Sequence, residues 1–162
     1  MRRRQYFIAA VACFVPLSLQ AQTVRTGSFD VRITISAECQ ITSTETLDFG
    51  MTGVLTSATN TTGTLQVACT NTTPYSIGLG SGLGAGATTT VRKMTSGSDT
   101  IDYRLFRDSA RTANWGNTIG VDTVAATATG AAQSFTVYGQ VPAQTTPRSA
   151  TYTDTITVTI TY

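Results

Sequence analysis

Side chains able to carry acid–base or nucleophilic chemistry are few in this chain, and histidine is absent altogether. Without an imidazole, Ser-His-Asp and Cys-His nucleophile arrangements and histidine-containing metal sites are excluded. Carboxylates remain, but Asp48, Asp102, Asp108 and Asp154 fall on expected strands or turns with nothing nearby to mark them out. Solvated faces and turn-stabilising hydrogen bonds are the roles expected of them, in preference to a catalytic dyad. Residues 78–86 carry glycine at every second position, which cannot give the i, i+2, i+5 spacing of a dinucleotide loop. The Ala-Thr-Thr-Thr-Val that follows is a poor helix start, so a flexible strand connection is expected there. Asn60-Thr-Thr62 and Asn71-Thr-Thr73 match the glycosylation sequon, a match that a Thr-rich chain produces by chance, and are read as polar turns. Tyr103, Phe106, Trp115, Tyr138 and Tyr152 are expected to pack in the core or across strands, not to form a sugar platform. The expectation is a protein without enzymatic activity, metal or cofactor.

The cysteines carry the remaining chemistry, and their meaning depends on where the chain goes. Met1-Arg-Arg-Arg, an apolar run from Tyr6 to Leu19 broken by Pro16 and Ser18, and Leu19-Gln-Ala21 read as a secretory signal peptide, with cleavage expected after Ala21. The run is too short for a membrane span of roughly 20 residues. A lipoprotein signal ending at Cys13 is the competing reading, but its first position, Ala10, is not the usual leucine and the apolar run continues past the cysteine. Cleavage removes Cys13 and leaves Cys39 and Cys69 as the one pair of an exported chain, so a disulfide between them is expected. A reactive or metal-binding pair is the alternative; its spacing matches no zinc motif. With about 30 residues enclosed, the bridge contributes roughly 3 to 4 kcal/mol in the chain-entropy description. The mature 141 residues amount to one domain and carry 8 basic against 9 acidic side chains, so no basic patch points to nucleic acid or acidic lipid.

The elements that position these groups are strands throughout. Phe29, Val31, Ile33, Ile35, Ala37 and Cys39 alternate without error with Ser28, Asp30, Arg32, Thr34, Ser36 and Glu38, predicting one strand over 27–39, twice the usual length. Thr46–Gly50, Gly63–Thr70 with Leu65, Val67 and Cys69 inward, Pro74–Leu79, Ile101–Phe106 and Phe135–Val141 follow as shorter strands. Thr151–Tyr162 then alternates as cleanly as the first stretch. Thr occurs 34 times and Lys once, a bias suited to exposed sheet faces. Short alternating strands separated by Gly, Asn, Ser and Pro indicate an all-β sandwich.

Together, the long strand ending in Cys39, Leu47-Asp-Phe-Gly50, Cys69 at a strand end, Tyr103-Arg-Leu-Phe-Arg-Asp108, Val137-Tyr-Gly-Gln-Val-Pro142 and the terminal Tyr152–Tyr162 resemble the spore coat protein U family. That family includes the subunits of archaic, Csu-type chaperone-usher pili. Where it usually has glycine before the tyrosine of the last strand, this chain has Ser149-Ala150.

The resemblance implies an incomplete immunoglobulin-like sandwich over 37–162 that lacks its final strand, preceded by a donor strand over 22–36. It implies a periplasmic chaperone, an outer-membrane usher and neighbouring subunits as partners, and passage through the periplasm to a pilus on the cell surface. Val24, Phe29, Val31, Ile33 and Ile35 would be the plugs of the donated strand, and Ile156, Val158, Ile160 and Tyr162 would line the acceptor groove and pair with the chaperone. Four inward apolar side chains left uncovered forfeit roughly 6 to 12 kcal/mol, comparable with the whole stability of a domain.

Overall fold

The computed structural model describes residues 22–162, and the expected signal peptide with Cys13 lies outside them. By internal contacts the chain divides after Thr34. Of the first unit, residues 22–34 are described. They carry no ladder, and Val24, Phe29, Val31 and Ile33 are all exposed. The second unit, from Ile35 to Tyr162, holds eight strands. These are β1 (Cys39–Thr44), β2 (Thr59–Cys69), β3 (Pro74–Leu79), β4 (Arg92–Ser96), β5 (Asp99–Phe106), β6 (Val124–Thr127), β7 (Gln133–Val141) and β8 (Val158–Thr161). Five of them form a sheet in the order β1-β2-β7-β5-β4, and three form a second in the order β6-β3-β8. Every strand pair is antiparallel, and the fold is an all-β, immunoglobulin-like sandwich.

Alternation decides which side chains meet between the sheets. Along β2, Leu65, Val67 and Cys69 point inward, and along β3 Tyr75, Ile77 and Leu79 do. Tyr103, Leu105, Trp115, Val137 and Val141 complete the core. The Trp115 indole donates from Nε1 to the Ile77 carbonyl at 2.9 Å, so the largest buried side chain leaves no polar atom unpaired. Cys39 stands opposite Cys69 in the β1–β2 register, and the two are bonded as a disulfide.

Beyond Cys39 the pairing continues for one position without a strand. Thr70 N donates to Glu38 O at 2.9 Å, Glu38 N donates to Thr70 Oγ1 at 3.1 Å, and that hydroxyl donates to Ser36 O at 3.1 Å. The strand expected over 27–39 is therefore in the ladder only at its last residue, Cys39, and β1 runs on through Thr44, beyond the expected end. An alternating stretch becomes a strand only when a second edge takes its N–H and C=O groups, and among the described residues none does so for 22–35.

Four further expectations are corrected. Residues 46–50 form no ladder; Gly50, at φ 71°, donates its N–H to Asp48 Oδ1 at 2.8 Å, a local turn that ends the extended chain. The terminal strand pairs in a ladder only over Val158–Thr161, with Thr153 alone exchanging two hydrogen bonds with Thr95. The glycine-rich stretch is a strand connection only from Gly80 on: Gly78 lies inside β3, and Gly82, at φ 86°, has the Asp154 carboxylate packed where a Cβ would stand. Asn60, read as a turn residue, sits in β2 and accepts from Gln140 Nε2.

Two strands, β4 and β6, and all of β1 beyond Cys39 were not visible in the sequence. β4 begins with Arg92, which is fully buried and donates from Nε to Gly80 O at 2.8 Å and from Nη2 to Leu79 O at 3.0 Å and Trp115 O at 2.7 Å. Burial lowers its pKa to about 10, an effect opposed by Tyr103, Asp122 and Asp154, so it remains a cation at neutral pH.

Candidate functional site

β1 is an outer strand of the larger sheet and β8 an outer strand of the smaller, and among the described residues each has one unpaired edge. Between the continuation of β1 and the stretch leading into β8 the sandwich is open. A cavity of about 520 Å³ lies there, bordered on one side by residues 44–49 and on the other by residues 151–156 and Val158. Its floor is apolar: Leu65, Leu79, Leu105 and Val137 reach it from both sheets. A second hollow, of about 850 Å³, shares Asp48, Phe49, Met94, Thr151 and Tyr152 with the first and continues to Leu55, Ile101 and Val141. The two hollows adjoin through these five residues.

Each wall is built by local sequence. On the β1 side, Leu47 and Phe49 point inward although no ladder holds them. They lie over Gly139 of β7, where a Cβ would come within 2.7 Å of Leu47 Cδ2 and 3.0 Å of Phe49 Cζ. The Phe49 ring also meets Tyr103 edge-on at 6.3 Å between centroids. On the opposite wall, residues 152, 154, 156, 158 and 160 are half-buried while the intervening threonines are exposed. Asp154 falls on the inward row and is fully engaged, accepting from Tyr103 Oη at 2.7 Å, Leu83 N at 2.7 Å and Thr155 N at 2.8 Å. Burial pushes the Tyr103 hydroxyl pKa well up, and donation to Asp154 adds to the rise, so this hydroxyl stays protonated.

The residues expected to form the acceptor wall are distributed unevenly. Ile156 and Val158 line the cavity. Ile160 packs on the core from β8, opposite Ile77, outside the cavity lining. Tyr162 is 58% exposed and borders a separate shallow hollow beside Pro74 and Ile119. Among the expected plugs, Phe29 is 87%, Val31 85% and Ile33 83% exposed, and Ile35, in the second unit, is 69% exposed. Val24 has the opposite parity to these four and would face the other way in a regular strand. Sequence reading did not place Leu47, Phe49, Tyr152 or Asp154 in the groove; the even spacing of Leu47 with Phe49 and of Tyr152 with Ile156 was the signal that could have done so.

The other candidate groups have structural occupations. Asp108 accepts from the backbone N–H groups of Ala113 and Thr112 and from the Thr112 hydroxyl; these bonds, chiefly that from Ala113, hold its pKa down. Asp102 pairs with Lys93 at 2.7 Å. Tyr103, Phe106 and Trp115 are buried, and Arg111 stacks over Tyr138 at 5.8 Å.

Comparison with known proteins gives the same architecture. The family model for the Spore Coat Protein U domain matches residues 25–159. Protein U of Myxococcus xanthus is 34% identical over 170 residues, covering 96% of this chain and 94% of that protein. Among solved structures, a chain of the CsuC-CsuE chaperone-tip adhesion subunit pre-assembly complex, from archaic chaperone-usher Csu pili of Acinetobacter baumannii, superposes with a TM-score of 0.57. Identity there is 23%, and the match covers 80% of this chain and 40% of that one.

Proposed function

Since the chain belongs to the Spore Coat Protein U domain family, whose members are structural and not enzymes, we propose that it is a subunit of a surface pilus that polymerises by donor-strand exchange. One observation carries this reading: an apolar groove open between the continuation of β1 and the stretch leading into β8, in a chain that also carries four exposed apolar side chains at alternate positions from Phe29 to Ile35. An extended segment laid in such a groove satisfies both edges through its backbone and places every second side chain on the core. In this reading residues 22–36 are the donor strand and 37–162 the acceptor sandwich, with Ile156 and Val158 on its accepting wall and Ile160 anchoring β8 behind it. A periplasmic chaperone covers the groove before assembly, an outer-membrane usher passes the subunit outward, and the neighbouring subunit's strand replaces the chaperone. Head-to-tail donation is heterologous and builds an open fibre, which would serve adhesion and biofilm formation.

The Ile33→Asp substitution tests it. Co-expressed with the chaperone, the variant should give soluble complex at the level of the parent, because its own groove is untouched. Fibre growth should stop, since an unpaired carboxylate would enter the next subunit's core at a cost of several kcal/mol. Normal fibres, or loss of the soluble complex as well, refute the reading. A coat or surface-layer protein of the same fold without filaments is the second reading, favoured by the family's description and the likeness to Protein U. Filaments under the electron microscope separate the two.

A further inference from the structure

A groove and a segment able to fill it on the same chain raise the question of what keeps the chain from closing on itself. We infer that Thr70 is a positioning residue that prevents this, so that the groove is left for a second copy; the inference rests on the donor-strand reading above. For residues 24–35 to run along the free edge of β1 and residues 44–49, the chain must reverse within residues 36–38, because β1 begins at Cys39. A loop that short is a hairpin turn, which requires residues at positive φ and is served by Asn, Asp or Gly. Ser36, Ala37 and Glu38 include none of the three, no positive φ occurs there, and the chain makes no turn or bend over them.

Thr70 holds that extended course. Its backbone N–H takes Glu38 O, and its hydroxyl accepts from Glu38 N while donating to Ser36 O. Both polar backbone groups of Glu38 and the carbonyl of Ser36 are thus committed on the β2 side. A reversal toward the free edge of β1 would have to break the two bonds of the hydroxyl. The clamp is next to the Cys39–Cys69 bridge, which ties the adjoining residues of the two strands together.

Thr70→Val keeps the β-branched shape and removes only the hydroxyl bonds. The exported full chain is unfolded, refolded without chaperone, and separated by size; each monomer is then challenged with a labelled synthetic peptide of residues 22–36. The parent should form multimers and leave open monomers that take up peptide. Thr70→Val should raise the fraction of monomer that refuses peptide about three- to tenfold, the scale of one or two exposed hydrogen bonds, and Thr70→Ser should restore the parental ratio. Equal behaviour of Thr70→Val and parent overturns the inference, as does a Thr70→Ser that behaves like Thr70→Val. If Thr70→Val does not refold, insertion of Asn-Gly after Ser36 supplies the missing turn directly and should give the same gain; no gain there also overturns it. A parent that neither multimerises nor takes up peptide overturns the donor-strand reading itself, a result distinct from either of these.

Discussion

In residues 151–162 the alternating side chains from Tyr152 to Ile160 are half-buried and the threonines between them face solvent, whereas in residues 22–34 both rows are exposed. The patterns are equally regular. The first stretch has Thr95, Gly80 and β3 to receive its backbone groups, and none of the described residues does the same for the second. Alternation therefore specifies which face of a strand is apolar and leaves its partner open.

Three experiments bear on this contrast. Removing residues 156–162 takes away β8 and the apolar end of one groove wall, and should abolish both folded subunit and chaperone complex, read as loss of soluble protein on co-expression; removing residues 22–33 should shift the body's stability by no more than about 0.5 kcal/mol. Recovery of a stable, chaperone-bound form lacking 156–162 would erase the distinction. At the level of one side chain, Ile156→Asp puts a carboxylate on the core side and should destabilise the isolated body by about 2 to 4 kcal/mol in denaturant unfolding. The same change at Ile33 should leave that unfolding midpoint where it was. The smallest effect is expected on the outer row: Thr155→Ala, one position from Ile156, should alter stability by less than about 0.5 kcal/mol. A larger loss would mean that the outer row is covered.

Much of the architecture could be read from residue order because two-residue periodicity survives wherever a strand has one buried face. β2, β3, β5 and β7 lie where alternation puts them, and the phase of Cys39 and Cys69 agrees with their disulfide. β4 escaped because its buried position is an arginine, whose stability inside depends on three carbonyls supplied by distant residues. β6 escaped because Val-Ala-Ala-Thr is too weak a pattern to stand out from the Thr- and Ala-rich chain around it. The groove was half legible. Ile156 and Val158 belong to a visible row, but the seating of Leu47 and Phe49 over Gly139 depends on a glycine ninety residues away whose role appears only when β2 and β7 are paired. Asp154 carried no mark in the sequence; its hydrogen bonds to Tyr103 and Leu83 make it part of the wall.

The disulfide has a mechanical consequence. A pull along the N-terminal segment enters the sandwich at Cys39, at the first position of an outer strand, where ladder hydrogen bonds alone would open one after another like a zipper. The sulfur bridge passes the load at once to Cys69 in β2, which is registered with β7 at nine positions. Tension is thereby carried by shear across the middle of the larger sheet, with many bonds loaded together, and the edge strand is bypassed. Reduction of this one bond would move the point of failure from the interior of the sheet to its rim.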